Sequence, residues 1–227
     1  MRKSYRELTE EIKTDGERLK LIAALGSSDD LAYHYALISE DWAAGGTLML
    51  ENSFDRHGEA GIVFLLERLR AFGAASKTDA SAAAGTATGT GAYTDTAYLA
   101  AKILSQLRHR DFYAARAKEL AALLTARWEI SDIALRRKQI IALGWIGSEA
   151  EVDVLIRTMQ GDTDALCRAW AAAALMQLSF HAVDAAFLRE RTKTAFAEAI
   201  QKEGDLNAAG ILSLIHISEP TRQAEIS

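Results

Sequence analysis

The chain has 227 residues, 49% of them hydrophobic, so it can bury a substantial core as one domain or one repeat array. Its formal net charge of -5 argues against a protein that wraps around nucleic acid and against one that binds an anionic membrane surface. The single cysteine, Cys167, cannot form an internal disulfide, and neither a signal peptide nor a membrane-length apolar run is recognisable, so a cytoplasmic protein is expected.

Helix is predicted along almost the whole chain. Residues 1–211 contain no proline and are rich in Ala, Leu, Glu, Lys and Arg, and no segment shows the alternation of a strand. The predicted helices, in chain order, cover residues 4–13, 16–25, 29–39, 41–52, 58–72, 94–108, 112–127, 132–146, 149–160, 164–179 and 184–202.

Apolar side chains in these helices recur with the helical period, which predicts one buried stripe per helix. The two clearest stripes are Ile62, Leu65, Leu66 and Leu69, and Val152, Leu155, Ile156 and Met159. Ser148 followed three residues later by Glu151 predicts a capping box at a helix start. Short helices joined by tight turns are typical of helical hairpins.

Glu40 and Asp41 form an acidic pair directly before Trp42. One interpretation is a charged lip that binds a partner. The other, which we favour, is a solvated junction between two helices, because charged side chains are mostly exposed.

The segment 73–92 differs from the rest in composition. It contains small and polar residues and no apolar side chain larger than alanine. Such a segment cannot offset the entropy lost on ordering, which predicts a flexible insertion between helices 58–72 and 94–108.

The chain repeats itself. Residues 132–147 align without gaps to residues 164–179, an offset of 32 residues. The alignment places Asp132 on Asp164, Arg136 on Arg168, Leu143 on Leu175 and Ile146 on Leu178. Weaker copies occur at 96–107 and 15–26, and spacings of about 30 to 40 residues per helix pair are typical of helical solenoids.

The segment DTDALCR (162–168), followed by AWAAAAL, resembles the second helix of HEAT repeats, with Cys167 in a core position that is usually valine. The resemblance covers residues 16–202, and the chain as a whole looks like the bacterial HEAT-repeat-containing proteins. It implies an all-α fold, a right-handed α-α superhelix of stacked helix pairs, over residues 1–211. It implies a fold more than a function.

The C-terminal residues 212–222, LSLIHISEPTR, look like the translation of a transposon-end adapter used in sequencing libraries. We therefore expect residues 212–227 to be a non-native tail and the native array to be truncated, with further repeats missing.

In HEAT-like proteins, Asp and Arg at fixed offsets pair between adjacent repeats. The resemblance therefore implies structural roles for Asp132, Asp164, Arg136 and Arg168, as partly exposed pairs worth about 0.2 to 1 kcal/mol each. Leu143 and Leu175 are predicted to lie in the core.

The common signatures of catalysis are missing from the sequence, which contains no nucleotide loop, no H-E-x-x-H and no G-x-S-x-G. We expect no cofactor and no metal. The four remaining histidines have no metal-ligand spacing and are expected to be isolated surface or packing residues: His34, His57, His109 and His181. Cys167 has no recognisable activating base.

The second helices of HEAT-like arrays line the concave face, and their non-core positions predict a ligand strip. The predicted strip consists of Lys102, Gln106, Lys138, Trp145, Trp170 and Gln177. Tryptophan is favoured at binding hot spots because it buries much area and keeps an N–H donor. The alternative is that Trp145 and Trp170 fill gaps between helices.

Two functions remain open. The favoured one is a non-catalytic scaffold that binds a protein or peptide, with no role for nucleic acid or membrane. The alternative is an enzyme built on HEAT-like helices, similar to the bilin lyases or the alkylpurine DNA glycosylases. A glycosylase would need a basic groove for phosphates, whereas this chain is acidic overall.

Overall fold

The computed structural model describes residues 2–78, 87–128, 132–181, 184–205 and 207–210. It divides into two compact units, Met1–Arg116 and Ala117–Ser227. Every regular element in the described ranges is a helix, which confirms the predicted all-α class. None of these helices combines the length and the hydropathy needed to cross a membrane.

The first unit is organised around a 3-10 helix that contacts four α-helices. The elements are α1 (Tyr5–Glu11), α2 (Asp15–Gly26), α3 (Leu31–Ala43), the 3-10 helix (Leu50–His57), α4 (Gly58–Thr78) and α5 (Ala87–Gln106). The 3-10 helix packs against α2, α3, α4 and α5, and α4 also packs on α5. The predicted stripe from Ile62 to Leu69 is buried, as its period requires.

The second unit contains the clearest repeats. Its helices are α6 (Tyr113–Thr125), within which the unit boundary falls, α7 (Ile133–Ile146), α8 (Val152–Gly161), α9 (Ala165–Ser179) and α10 (Ala185–Lys202). The predicted capping box of Ser148 and Glu151 is present and opens a short 3-10 turn before α8. Leu143 and Leu175 are buried between the helices, so their prediction as core residues is confirmed.

The predicted loop 73–92 is wrong at both ends. Helix α4 continues to Thr78 and α5 begins at Ala87. Extending an existing helix fixes only one residue per added hydrogen bond, and alanine is the best helix former, so alanine-rich sequence prolongs a packed helix without large apolar side chains. Residues 79–86 and the predicted tail 212–227 lie outside the described residues.

The predicted helix 41–52 is also wrong. Helix α3 ends at Ala43, and the next element is the 3-10 helix, which begins at Leu50. Gly45 and Gly46 between them have φ of 99° and 70°. This left-handed backbone is open to glycine and ends a right-handed helix.

Asp41 holds this turn together from inside the unit. Its side chain is fully buried, and its carboxylate accepts hydrogen bonds from the Tyr5 hydroxyl at 2.8 Å and the Leu48 N–H at 3.0 Å. The Leu50 N–H donates to the same carboxylate at 3.3 Å. The solvated junction that the sequence favoured is therefore wrong for Asp41, while Glu40 is exposed.

Replacing Asp41 by alanine leaves two buried backbone donors and one hydroxyl without an acceptor. We expect the free energy of unfolding to fall by about 2 to 4 kcal/mol. Glu40→Ala, one residue earlier on the exposed side, is the matched control and should change it by less than about 0.5 kcal/mol. Urea denaturation monitored by circular dichroism measures both, and equal effects would contradict the role of Asp41.

Candidate binding surface

Helices α7 and α9 lie side by side and run parallel. Near their starts, Arg137 on α7 binds Asp164 at the N-cap of α9. Near their ends, a Cβ added to Gly144 would lie 3.0 Å from the Cα of Ala174. Contacts that advance together along both helices establish the parallel direction, and the missing side chain at Gly144 allows the close approach.

The sides of α7 and α9 that point away from the core form a surface, which we call the α7–α9 face. On each helix its positions are spaced by three or four residues, so they share one side. The α7–α9 face consists of Lys138, Ile141 and Trp145 on α7 and Leu166, Trp170, Ala173 and Gln177 on α9, all exposed or half-buried.

Four members of the predicted strip lie on the α7–α9 face: Lys138, Trp145, Trp170 and Gln177. The other two, Lys102 and Gln106, lie on α5 in the first unit. There the Lys102 ammonium pairs with the Glu51 carboxylate at 3.1 Å and also reaches Asn52. Lys102 is therefore committed to an ion pair within its own unit, and a contact with a ligand would have to compete with that pair.

Trp170 is the most exposed large side chain of the α7–α9 face, with 45% of its surface accessible. Leu166, one helical turn earlier, is 41% accessible. Trp145 is half-buried. An interpretation in which the tryptophans only fill gaps between helices does not suit Trp170, because 45% of this residue is accessible to solvent.

Two arginines at equivalent positions of the repeat link each second helix to an acid that follows it in the chain. Arg136 pairs with Asp162 at 2.6 Å, and Arg168 pairs with Glu203 at 2.6 Å. Arg168 also donates to the Asp162 carbonyl at 2.8 Å. The predicted structural role of both arginines is confirmed.

These pairs are more buried than the sequence suggested. The Asp162 and Glu203 side chains are only 7% and 2% exposed, so neither carboxylate is well hydrated. Arg168 lowers the pKa of Glu203, mainly through the side-chain hydrogen bond. Removing either arginine would leave an uncompensated buried charge, which costs about 3 to 5 kcal/mol, rather than the small amount of a surface pair.

Asp132 and Asp164 cap α7 and α9. The Asp132 carboxylate accepts from the Leu135 N–H at 2.7 Å, and Asp164 accepts from the Cys167 N–H at 2.8 Å. Both are therefore structural, as predicted, but they act as helix caps, and the arginine that pairs with Asp164 is Arg137. The hydrogen bond from Arg137 lowers the pKa of Asp164 to about 2.

Cys167 is fully buried behind this cap, in the core position that the sequence predicted. Burial, followed by the nearby Asp164, raises the pKa of the thiol to about 11. A thiol with that pKa stays protonated near neutral pH, so Cys167 is a poor nucleophile.

The sequence missed a histidine pair in the first unit, in which His34 is buried and His57 is half-buried. His34 on α3 and His57 at the end of the 3-10 helix are 23 residues apart, yet the distance from Nδ1 of His34 to Nε2 of His57 is 2.8 Å. Nε2 of His34 donates to the Leu50 carbonyl at 3.0 Å. No sequence spacing signals this pair, because the turn after α3 brings the rings together. Within the described ranges, no cluster of three His, Cys, Asp or Glu residues suits a metal ion.

Burial, with a smaller contribution from His57, lowers the pKa of His34 from 6.5 to about 4. Burial also lowers the pKa of His57. Both rings are therefore neutral in the folded protein at neutral pH, whereas the unfolded chain binds protons as the pH falls below 6.5.

The free energy of unfolding should decrease as the pH falls, because His34 becomes protonated in the unfolded chain but stays neutral in the folded protein. The stabilisation from neutral His34 is complete above its pKa in the unfolded chain, 6.5. It is lost as the pH falls towards its pKa in the folded protein, about 4. From about pH 7 to about pH 5 we expect a loss of about 2 kcal/mol from His34. Urea denaturation at several pH values measures this loss. It should persist in the exposed-histidine variant His109→Gln and be reduced in His34→Gln; equal pH dependence in the two would contradict it.

A side chain at Gly144 should force α7 and α9 apart. We expect Gly144→Ala to lower the free energy of unfolding by about 1 to 3 kcal/mol through overpacking against Ala174. Gly161→Ala is the control, because a Cβ there meets nothing within 4 Å, and it should be neutral or stabilising by less than about 1 kcal/mol. Guanidinium denaturation separates the two outcomes. A neutral Gly144→Ala would refute the close approach.

Comparison with known proteins concerns the same part of the chain. A family model described as HEAT repeats matches residues 90–176, which run from α5 to α9. No curated protein and no solved structure is significantly similar to the chain. The match supports a HEAT-repeat domain that includes the parallel pair α7 and α9.

Proposed function

We propose that this protein is a non-catalytic scaffold that binds a protein or peptide partner on the α7–α9 face. The proposal rests on the exposure of Trp170 and Leu166. They lie one turn apart on α9, within the residues that the HEAT-repeat family model matches. Repeat proteins of this kind use the surface formed by equivalent helices of successive repeats for binding.

The chemistry of the α7–α9 face suits a protein partner. Trp170 offers a large apolar area together with an N–H donor, a combination enriched at interface hot spots. Ala173 next to it is small, so a partner side chain has room beside the indole. Lys138 and Gln177 supply polar groups around this apolar centre, as expected for a rim.

The alternative of a DNA-binding enzyme receives less support from this part of the molecule. Arg136, Arg137 and Arg168 are all paired with carboxylates, which reduces the positive charge offered to phosphates. The described residues contain nothing that we can assign to a tetrapyrrole site.

Peptides that bind the full chain, selected from a phage-displayed library, test the proposed scaffold function. Trp170→Ala should raise the Kd of a selected peptide at least about tenfold, equivalent to about 1.4 kcal/mol, because it removes the central apolar contact. Fluorescence polarisation measures the Kd. The matched control is Phe187→Ala, since Phe187 is 52% exposed but lies on α10.

Trp145→Ala and Gln106→Ala extend the test to the rest of the predicted strip. Gln106 is the better probe of α5, because replacing Lys102 would also break its pair with Glu51. Peptides whose Kd is the same for wild type, Trp170→Ala and Trp145→Ala would refute binding on the α7–α9 face. A change with Gln106→Ala alone would assign the binding to α5.

A further inference from the structure

A cavity of about 380 Å³ lies in the first unit, where the end of α2, the loop to α3, the 3-10 helix and the start of α4 meet. Its volume falls at the lower end of the range for small-molecule sites, about 300 to 1,000 Å³. The residues that line it are Gly26, Ser27, Ser28, Asp29, Leu31, Arg56, His57 and Ala60.

The cavity carries one cation, Arg56, and one anion, Asp29, that are not neutralised by any residue that the structure describes. Arg56 and Asp29 are both exposed, and neither forms an ion pair with the other or with any described residue. In contrast, Arg136 and Arg168 in the second unit each pair with a carboxylate. A ligand that meets both charges of this cavity must itself carry both signs.

The aliphatic stem of Arg56 lies close to the end of α2. A Cβ added to Gly26 would lie 2.7 Å from Cδ of Arg56 and 2.9 Å from the backbone oxygen of Ser53. The stem of Arg56 therefore lies against the backbone at the end of α2, and Arg56 is one of the residues that line the cavity. A charge held in place before binding loses less entropy when a ligand arrives.

The histidine pair determines which nitrogen of His57 is available. The Leu50 carbonyl can only accept, so Nε2 of His34 carries the hydrogen of that bond, at 3.0 Å. Nδ1 of neutral His34 is then an acceptor, and Nε2 of His57 must donate to it at 2.8 Å. Nδ1 of neutral His57 is left as a hydrogen-bond acceptor, and it bonds to no other described residue.

A hydroxyl donor completes the set. The oxygen of Ser28 accepts a hydrogen bond from the Asp30 N–H at 3.1 Å, which leaves the hydroxyl hydrogen of Ser28 for another acceptor. The cavity therefore offers two donors, Arg56 and Ser28, and two acceptors, Asp29 and Nδ1 of His57.

We propose that this cavity binds a free α-amino acid in its zwitterionic form. Asp29 and His57 accept hydrogen bonds from the ammonium group, while Arg56 and Ser28 donate to the carboxylate. Arginine suits a carboxylate because its planar fork can donate two parallel hydrogen bonds. A simple carboxylic acid would leave Asp29 unpaired, and a simple amine would leave Arg56 unpaired.

Ligand-observed NMR on the full chain tests the site, with each of the common L-amino acids added singly. Acetate and methylammonium serve as half-ligands that carry one charge each. At least one amino acid should bind saturably and at least about tenfold more tightly than either half-ligand, because each charge-assisted contact adds to the affinity.

Arg56→Gln and Asp29→Asn should each weaken binding at least about tenfold. Both residues are exposed and form no ion pair with a described residue, so the melting temperature should be nearly unchanged and a loss of binding is not a loss of folding. Arg110→Gln and Asp111→Asn are matched controls, since both residues are exposed in the same unit and lie outside the cavity lining.

Three results would overturn the proposal. The first is that no amino acid binds at concentrations up to about 10 mM, because a Kd above that value is too weak for a specific site. The second is that acetate binds as tightly as any amino acid, which indicates an anion site only. The third is that the Arg56 and Asp29 variants bind as well as the two controls.

Discussion

The close approach of α7 and α9 is the constraint on which the repeat structure depends. Where Gly144 meets Ala174, a single added carbon would lie 3.0 Å from the facing backbone. At that contact there is room only for small residues, and the larger side chains nearby lie either in the core or towards solvent. The α7–α9 face and the buried leucines are the two results of that separation.

The ion pairs of Arg136 and Arg168 are a second consequence of the same geometry. Because α7 and α9 run parallel and in register, equivalent arginines reach equivalent regions, and Arg136 and Arg168 each meet an acid further along the chain. The acids themselves are nearly buried, which makes the pairs sensitive to the loss of one partner. These ion pairs connect each second helix to the segment that follows it in the chain.

Buried polar groups position the elements of the first unit, whereas close packing of repeated helices positions those of the second. Asp41 accepts three hydrogen bonds around the turn after α3, and that turn places the 3-10 helix where His57 meets His34. The same arrangement brings Arg56 and His57 to one cavity. A structural turn and a candidate ligand site therefore share one set of contacts.

The sequence by itself determined the helical class, the repeat offset, the core leucines and the capping box of Ser148 and Glu151, because periodicity and capping act over a few residues. It failed at Asp41 and for the extent of the loop 73–92, since burial and helix extension depend on neighbouring elements. Only the tertiary structure decided that Arg137 pairs with Asp164, that His34 meets His57, and that Trp170 faces solvent. Each of these depends on the distance between residues far apart in the chain, which packing determines and local sequence pattern does not.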